Sequence, residues 1–138
     1  MKVGILGLGL IGGSLARAYA LEGHTVYAAE TNESMLSFAM LAGAAHGKLD
    51  EETIPQCDLI LLAIYPDGSA SWLEQNAPLV SKNTLVMDCC GVKQEVCRRC
   101  FPVAKEYGFT FVGGHPMAGS EKTGYTSATD RLLENAYY

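Results

Sequence analysis

Positive charge is scarce in this chain and nowhere gathered. Ten lysines and arginines stand against 15 aspartates and glutamates, for a net charge of −5 and a pI near 5.1. Nucleic acids and anionic membranes are held by basic patches, so neither is an expected partner. No apolar stretch reaches the roughly 18–20 residues of a membrane-spanning helix. No repeat, linker or low-complexity segment interrupts the chain. Histidine is nearly absent too, with three copies, so any imidazole chemistry rests on His24, His46 or His115.

What is present is ordinary globular material. Hydrophobic residues make up 49% and charged residues 18%, which excludes a disordered or fibrous chain. A length of 138 residues allows one domain around one core. The opening MKVGILGLGLIGGSLARAYA has the lysine and apolar run of a signal peptide. Its glycines, and the helical stretch carrying Arg17 and Glu22, fit a soluble strand-turn-helix better. The five cysteines (57, 89, 90, 97 and 100) are an odd set without an export signal, so they read as reduced thiols of a cytoplasmic protein. Cys97 and Cys100 have the C-x-x-C spacing, but a structural zinc site usually needs a second such pair, and no metal site is expected.

Strand-length apolar runs alternate with helix-period segments. Strands are predicted over Lys2–Leu6, Thr25–Ala29, 59–64, Leu85–Asp88 and 109–112. Helices are predicted over 11–21, 33–42, part of 70–80 (disturbed by Pro78) and 93–107. Leu59 to Ile64 is wholly apolar, as in a strand covered on both faces. Such alternation builds β-α-β units, and the fold class is a doubly wound α/β domain with a parallel sheet.

Gly7-Leu8-Gly9-Leu10-Ile11-Gly12 is a G-x-G-x-x-G directly after the first strand and opening the first helix. There Gly7 permits a tight turn, Gly9 admits a pyrophosphate, and Gly12 allows close helix packing. The helix start at Leu10 and Ile11 offers free amides and a positive dipole. Glu30 ends the second strand, 18 positions after Gly12, where an acid bonds ribose hydroxyls. It would repel a 2′-phosphate, and Thr31 and Asn32 bring no cation, so NAD is favoured over NADP. A glycine turn without ligand is the blander reading of the motif taken alone.

Ligands bind at the carboxyl ends of such strands. Tyr65-Pro66-Asp67-Gly68, Asp88 to Lys93, and Gly113-Gly114-His115-Pro116-Met117 all fall there. Tyr65 and Asp88 are therefore candidate cofactor contacts, and His115 a candidate catalytic residue. His24 and His46 read as ordinary surface or hydrogen-bonded histidines.

The runs GLGLIGGS (7–14), DCCGVK (88–93), GHPMAGSEKTG (114–124) and Glu134-Asn135-Ala136-Tyr137 resemble the prephenate/arogenate dehydrogenase family of tyrosine biosynthesis. The resemblance spans nearly the whole chain. It implies NAD-dependent oxidation and decarboxylation of prephenate to 4-hydroxyphenylpyruvate, or of arogenate to tyrosine. It makes His115 the base that draws the proton from the substrate's ring hydroxyl. It also puts Lys93, Ser120, Glu121 and Lys122 around the substrate.

Two departures stand out. The family pattern D-x-x-S-x-K has a serine that bonds the histidine or the substrate, and here that position is Gly91; Cys90 or a water would have to substitute. Family members also continue into a mainly helical, dimerising domain. Residues 1–138 read as the NAD-binding domain alone, truncated near a last strand, and a homodimer is expected of the full-length protein. The competing readings are another small-acid NAD dehydrogenase, such as a 3-hydroxyacid or imine reductase, and a non-catalytic NAD-binding module.

Overall fold

The computed structural model describes residues 1–115, 128 and 129. Six strands, β1 (Lys2–Leu6), β2 (Thr25–Ala29), β3 (Gly47–Lys48), β4 (Leu59–Leu62), β5 (Leu85–Asp88) and β6 (Thr110–Gly113), form one sheet. All neighbours pair in parallel, in the order β3-β2-β1-β4-β5-β6. Four helices connect them: α1 (Leu10–Leu21), α2 (Glu33–Leu41), α3 (Pro66–Asn76) and α4 (Gln94–Tyr107). This is the doubly wound Rossmann arrangement, in which the strand order reverses beside β1 and opens a crevice there.

The sheet is apolar on both faces because two cores share it. Along β4, Leu59 and Leu61 join Val3, Ile5 and the α1 residues Leu15 and Ala16 on one side. Ile60 and Leu62 join Leu73 of α3 and Val96 and Cys100 of α4 on the other. Successive strand side chains alternate faces, so four apolar residues in a row serve both cores. On the second side Arg99 of α4 ties down α3, donating to Asp67 (2.6 Å), Glu74 (2.8 and 3.0 Å) and Ser71 (3.0 Å). Ser14 donates to the Leu10 carbonyl (2.6 Å) and accepts from the Thr129 amide (3.0 Å), and Ala128 is buried in the first core.

Several boundaries differ from the sequence expectation. The first helix starts at Leu10, one residue early, and β4 stops at Leu62, two residues short of Ile64. The largest difference is α3. The Tyr65-Pro66-Asp67-Gly68 run, placed by the sequence at a strand end ahead of a helix within 70–80, is itself the start of that helix, with Tyr65 as N-cap, Pro66 in the first turn and Asp67 near the positive end. Proline's fixed φ and missing N–H suit a first helical turn as well as a loop. Pro78 falls in a short 3-10 turn, Ala77–Leu79, after α3 has ended. The two-residue β3 was not anticipated, since it carries no periodic signal. No helix among the described residues is long and apolar enough to cross a membrane.

Candidate cofactor cleft and its catalytic edge

The glycine turn does three separate jobs. Gly7 has φ +92°, and a Cβ there would meet Ile64 Cγ2 at 2.4 Å and the Ala63 carbonyl at 2.8 Å. A Cβ on Gly12 would lie 1.9 Å from the Gly7 carbonyl oxygen, so α1 can pack against the turn only with glycine. Gly9 is different: nothing lies within 4 Å of a Cβ built on it. Packing therefore does not require glycine at position 9. Open space beside an uncapped helix start is what a pyrophosphate would use, and no side chain caps α1.

That turn forms one wall of a cleft of about 520 Å³. Leu10 and Ile11 continue the wall, and Glu30 stands at its end just past β2, partly exposed, with Oε2 accepting from the Thr31 amide (3.0 Å). Tyr65, 88% exposed, and Pro66 form the opposite rim. The far end is Cys89, Cys90 and Gly91, a stretch to which the sequence reading gave no cofactor role. The structure thus brings Gly7, Gly9, Leu10, Ile11, Glu30 and Tyr65 to one cleft, with Gly12 packed behind it. These residues fit a dinucleotide: an open approach at Gly9, an uncapped helix start, and a carboxylate just past β2 that lines the same cleft.

Asp88 and Lys93 are used otherwise than expected. Asp88 is fully buried, so it presents no surface to a cofactor. Its Oδ2 accepts from the Cys90 amide (3.1 Å) and from Lys93 Nζ, and its Oδ1 accepts from the Gly114 amide (3.1 Å). Lys93, expected to face the substrate, has its ammonium on this carboxylate. Gly114, just past β6, has a packing reason to be glycine. A Cβ on Gly114 would come within 2.7 Å of the Asp88 carbonyl oxygen and 2.9 Å of Met87, so the chain passes directly over the end of β5.

His115 follows at once and is exposed. Its Nε2 lies 3.6 Å from a Cβ built on Gly91, which puts the imidazole at the cleft's far end. Cys90 does not substitute for the missing serine. Its thiol is directed to the Ile64 carbonyl (3.3 Å) and Ser69 Oγ (3.8 Å). Burial, reinforced by the Asp88 charge, pushes the Cys89 thiol up to about 12, and burial likewise raises Cys90. Both line the cleft as neutral thiols. Ser120, Glu121 and Lys122 lie outside the described residues.

The remaining candidates are structural. Cys97 and Cys100 are free thiols on α4, Cys100 fully buried, and no group of metal-holding side chains occurs among the described residues. His24 Nδ1 bonds the N-terminal amine (2.9 Å), and His46 Nδ1 accepts from the Val26 amide (2.9 Å), both away from the cleft.

The family model for the prephenate dehydrogenase nucleotide-binding domain matches residues 15–138. The chain belongs to this family. It is 32% identical over 141 residues to the prephenate dehydrogenase of Lactococcus lactis, covering 99% of this chain and 40% of that protein. Synechocystis arogenate dehydrogenase superposes with a TM-score of 0.87 at 29% identity, over 99% of this chain and 48% of the other. Prephenate dehydrogenase from Aquifex aeolicus, in complex with hydroxyphenyl propionate and NAD+, gives 0.83 at 26% identity, again over 99% and 48%. The chain spans less than half the length of these relatives.

Proposed function

We propose that this chain is the NAD-binding, base-bearing portion of an enzyme that converts prephenate to 4-hydroxyphenylpyruvate by oxidative decarboxylation in tyrosine biosynthesis. The observation that carries the reading is His115 beside Gly91, a residue lining the same cleft as the glycine turn and Glu30, with Nε2 3.6 Å from a Cβ built on Gly91. Family membership and the NAD+ held by the Aquifex relative support the cofactor class. Glu30, followed in sequence by Thr31 and Asn32 and not by a cation, supports NAD over NADP. The same reading implies a cytoplasmic enzyme that works as a homodimer.

NAD, when bound, accepts the hydride. The chain's own part is binding and proton handling. The start of α1 attracts the pyrophosphate, open backbone at Gly9 lets it approach, and Glu30 accepts the ribose hydroxyls. His115 accepts the proton of the substrate's ring hydroxyl as hydride departs from the same carbon. Polarising that O–H makes the alcohol a better hydride donor, and an imidazole nitrogen is the side-chain proton acceptor most often used for such a task. Breaking the bond to the ring carboxylate then sends its electron pair into the ring, releasing carbon dioxide and completing the aromatic system. Orientation is most of what that last step requires.

Arogenate is the second reading, favoured by the superposition on the Synechocystis arogenate dehydrogenase. NADH formation by the complete enzyme with each substrate decides between them. Turnover with neither, alongside saturable NAD binding, would leave a non-catalytic module.

A further inference from the structure

Nothing so far explains why a carboxylate should be buried at the end of β5. Asp88 has no exposed surface, and an unpaired charge there would be strongly disfavoured. It is not unpaired: two backbone amides and one ammonium converge on it. The identity of those amides carries the argument. Gly114 immediately precedes His115, and Cys90 immediately precedes Gly91. A single side chain therefore grips the residue before each member of this pair, in which His115 Nε2 stands 3.6 Å from a Cβ built on Gly91. Asp88 is also paired in register with Gly113 across the sheet, so its two oxygens act where the β5 and β6 ends leave regular strand pairing.

We propose that Asp88 is a positioning residue for His115. Its carboxylate, balanced by Lys93, locks together the two strand-end loops and so sets where the imidazole stands over the cleft. The proposal rests on the reading of His115 as the base. Charge-assisted bonds to backbone amides are short and strong, which suits fixing a loop against a sheet. Lys93 is in this account the counter-charge that sits on the buried carboxylate, and its stem lies along Gly113, where a Cβ would be 3.5 Å from Cδ.

Asp88→Asn is the discriminating substitution because it keeps the shape and removes one acceptor. The amide NH₂ must then face either the Gly114 amide or the Cys90 amide and Lys93, donor against donor. NMR of this chain reads the outcome. In the native protein the Gly114 and Cys90 amides should exchange with solvent as slowly as those of β5. In Asp88→Asn whichever of the Gly114 and Cys90 amides faces the NH₂ should exchange about tenfold faster or more, and the His115 ring signals should move, while amides of β1 and β2 keep their protection. Fast Gly114 exchange in the native chain would overturn the proposal. So would a variant that loses thermal stability with the His115 signals unchanged, since that is a merely structural role. If Asp88→Asn does not fold, Lys93→Met leaves the buried carboxylate uncompensated and should weaken its hold on both amides. It should move the same ring signals, and an unaltered ring would overturn the proposal. Failure of NAD to bind would refute the functional reading and leave the exchange result standing.

Discussion

Gly91 and His115 face each other at the far end of the cleft, with 3.6 Å between the imidazole Nε2 and the point where a Cβ of residue 91 would stand. The family pattern has a serine at this position, and a hydroxyl there would reach the ring. Gly91 has no left-handed backbone that would demand glycine, and its nearest contacts are ordinary van der Waals distances. Gly91→Ser is therefore expected to fold with a stability change within about 0.5 kcal/mol. It should retain NAD binding and shift the His115 Nε2 resonance. A serine that leaves the ring resonance untouched would contradict the geometry.

The three glycines of the turn give a sharper separation of folding from binding. Gly12→Ala forces a methyl to within 1.9 Å of the Gly7 carbonyl, and should cost on the order of 3 kcal/mol or more. Gly9→Ala meets nothing within 4 Å and should cost less than about 1 kcal/mol, the size of a helix N-cap change. Yet the added methyl stands where the pyrophosphate must approach, so NAD affinity should drop about tenfold or more. Urea denaturation and calorimetric titration measure the two effects. Equal stability losses at both positions, or unchanged NAD affinity in Gly9→Ala, would contradict the assignment.

These positions also mark what the sequence could and could not reveal. The glycine turn was legible because its three glycines fall within six residues, directly between a strand and a helix, a spacing that the local sequence displays. Asp88 was legible as a residue at the cleft edge but not as a clamp, because its partner at Gly114 is 26 positions away and meets it only through β5–β6 pairing. The start of α3 was misread for a different reason. Proline, aspartate and glycine favour turns, and the same proline and acid also favour a first helical turn; local chemistry alone does not separate the two. The strand β3 has two residues, too few for any period to register.

Cofactor choice rests on Glu30. Its carboxylate lies in the cleft, bonded to the Thr31 amide, and a 2′-phosphate placed beside it would be repelled. NAD should bind more tightly than NADP, and Glu30→Ala should narrow the gap. Titration of both cofactors tests this, and tighter binding of NADP to the native chain would contradict it.

The buried thiols predict an alkaline limit to stability. Burial pushes Cys57 up to about 11 and Cys89 and Cys100 to about 12, from an ordinary value of 9.0. Above pH 9 the unfolded chain releases these protons while the native chain retains them. The unfolded state then binds fewer protons, and stability falls as pH rises, by roughly 1 kcal/mol per pH unit for each thiol. The loss should run from about pH 9 to about pH 11–12 and be negligible below pH 8. Urea midpoints across pH 7 to 10, with thiolate absorbance of the native chain, check it; a flat profile would contradict the burial of these groups.

The most direct test of the functional account is His115→Asn in the complete enzyme, with initial rates of NADH formation from saturating prephenate or arogenate and a NAD isotherm on the same protein. The substitution keeps a hydrogen-bonding side chain but removes the basic ring nitrogen, and it lies outside the glycine turn and the Glu30 end of the cleft. The account predicts a kcat lower by about 10²–10⁴, the usual contribution of a positioned base, with NAD affinity nearly unchanged. A variant that keeps most of its turnover would contradict the account, and would leave His115 as a histidine that happens to stand at the end of a cofactor cleft.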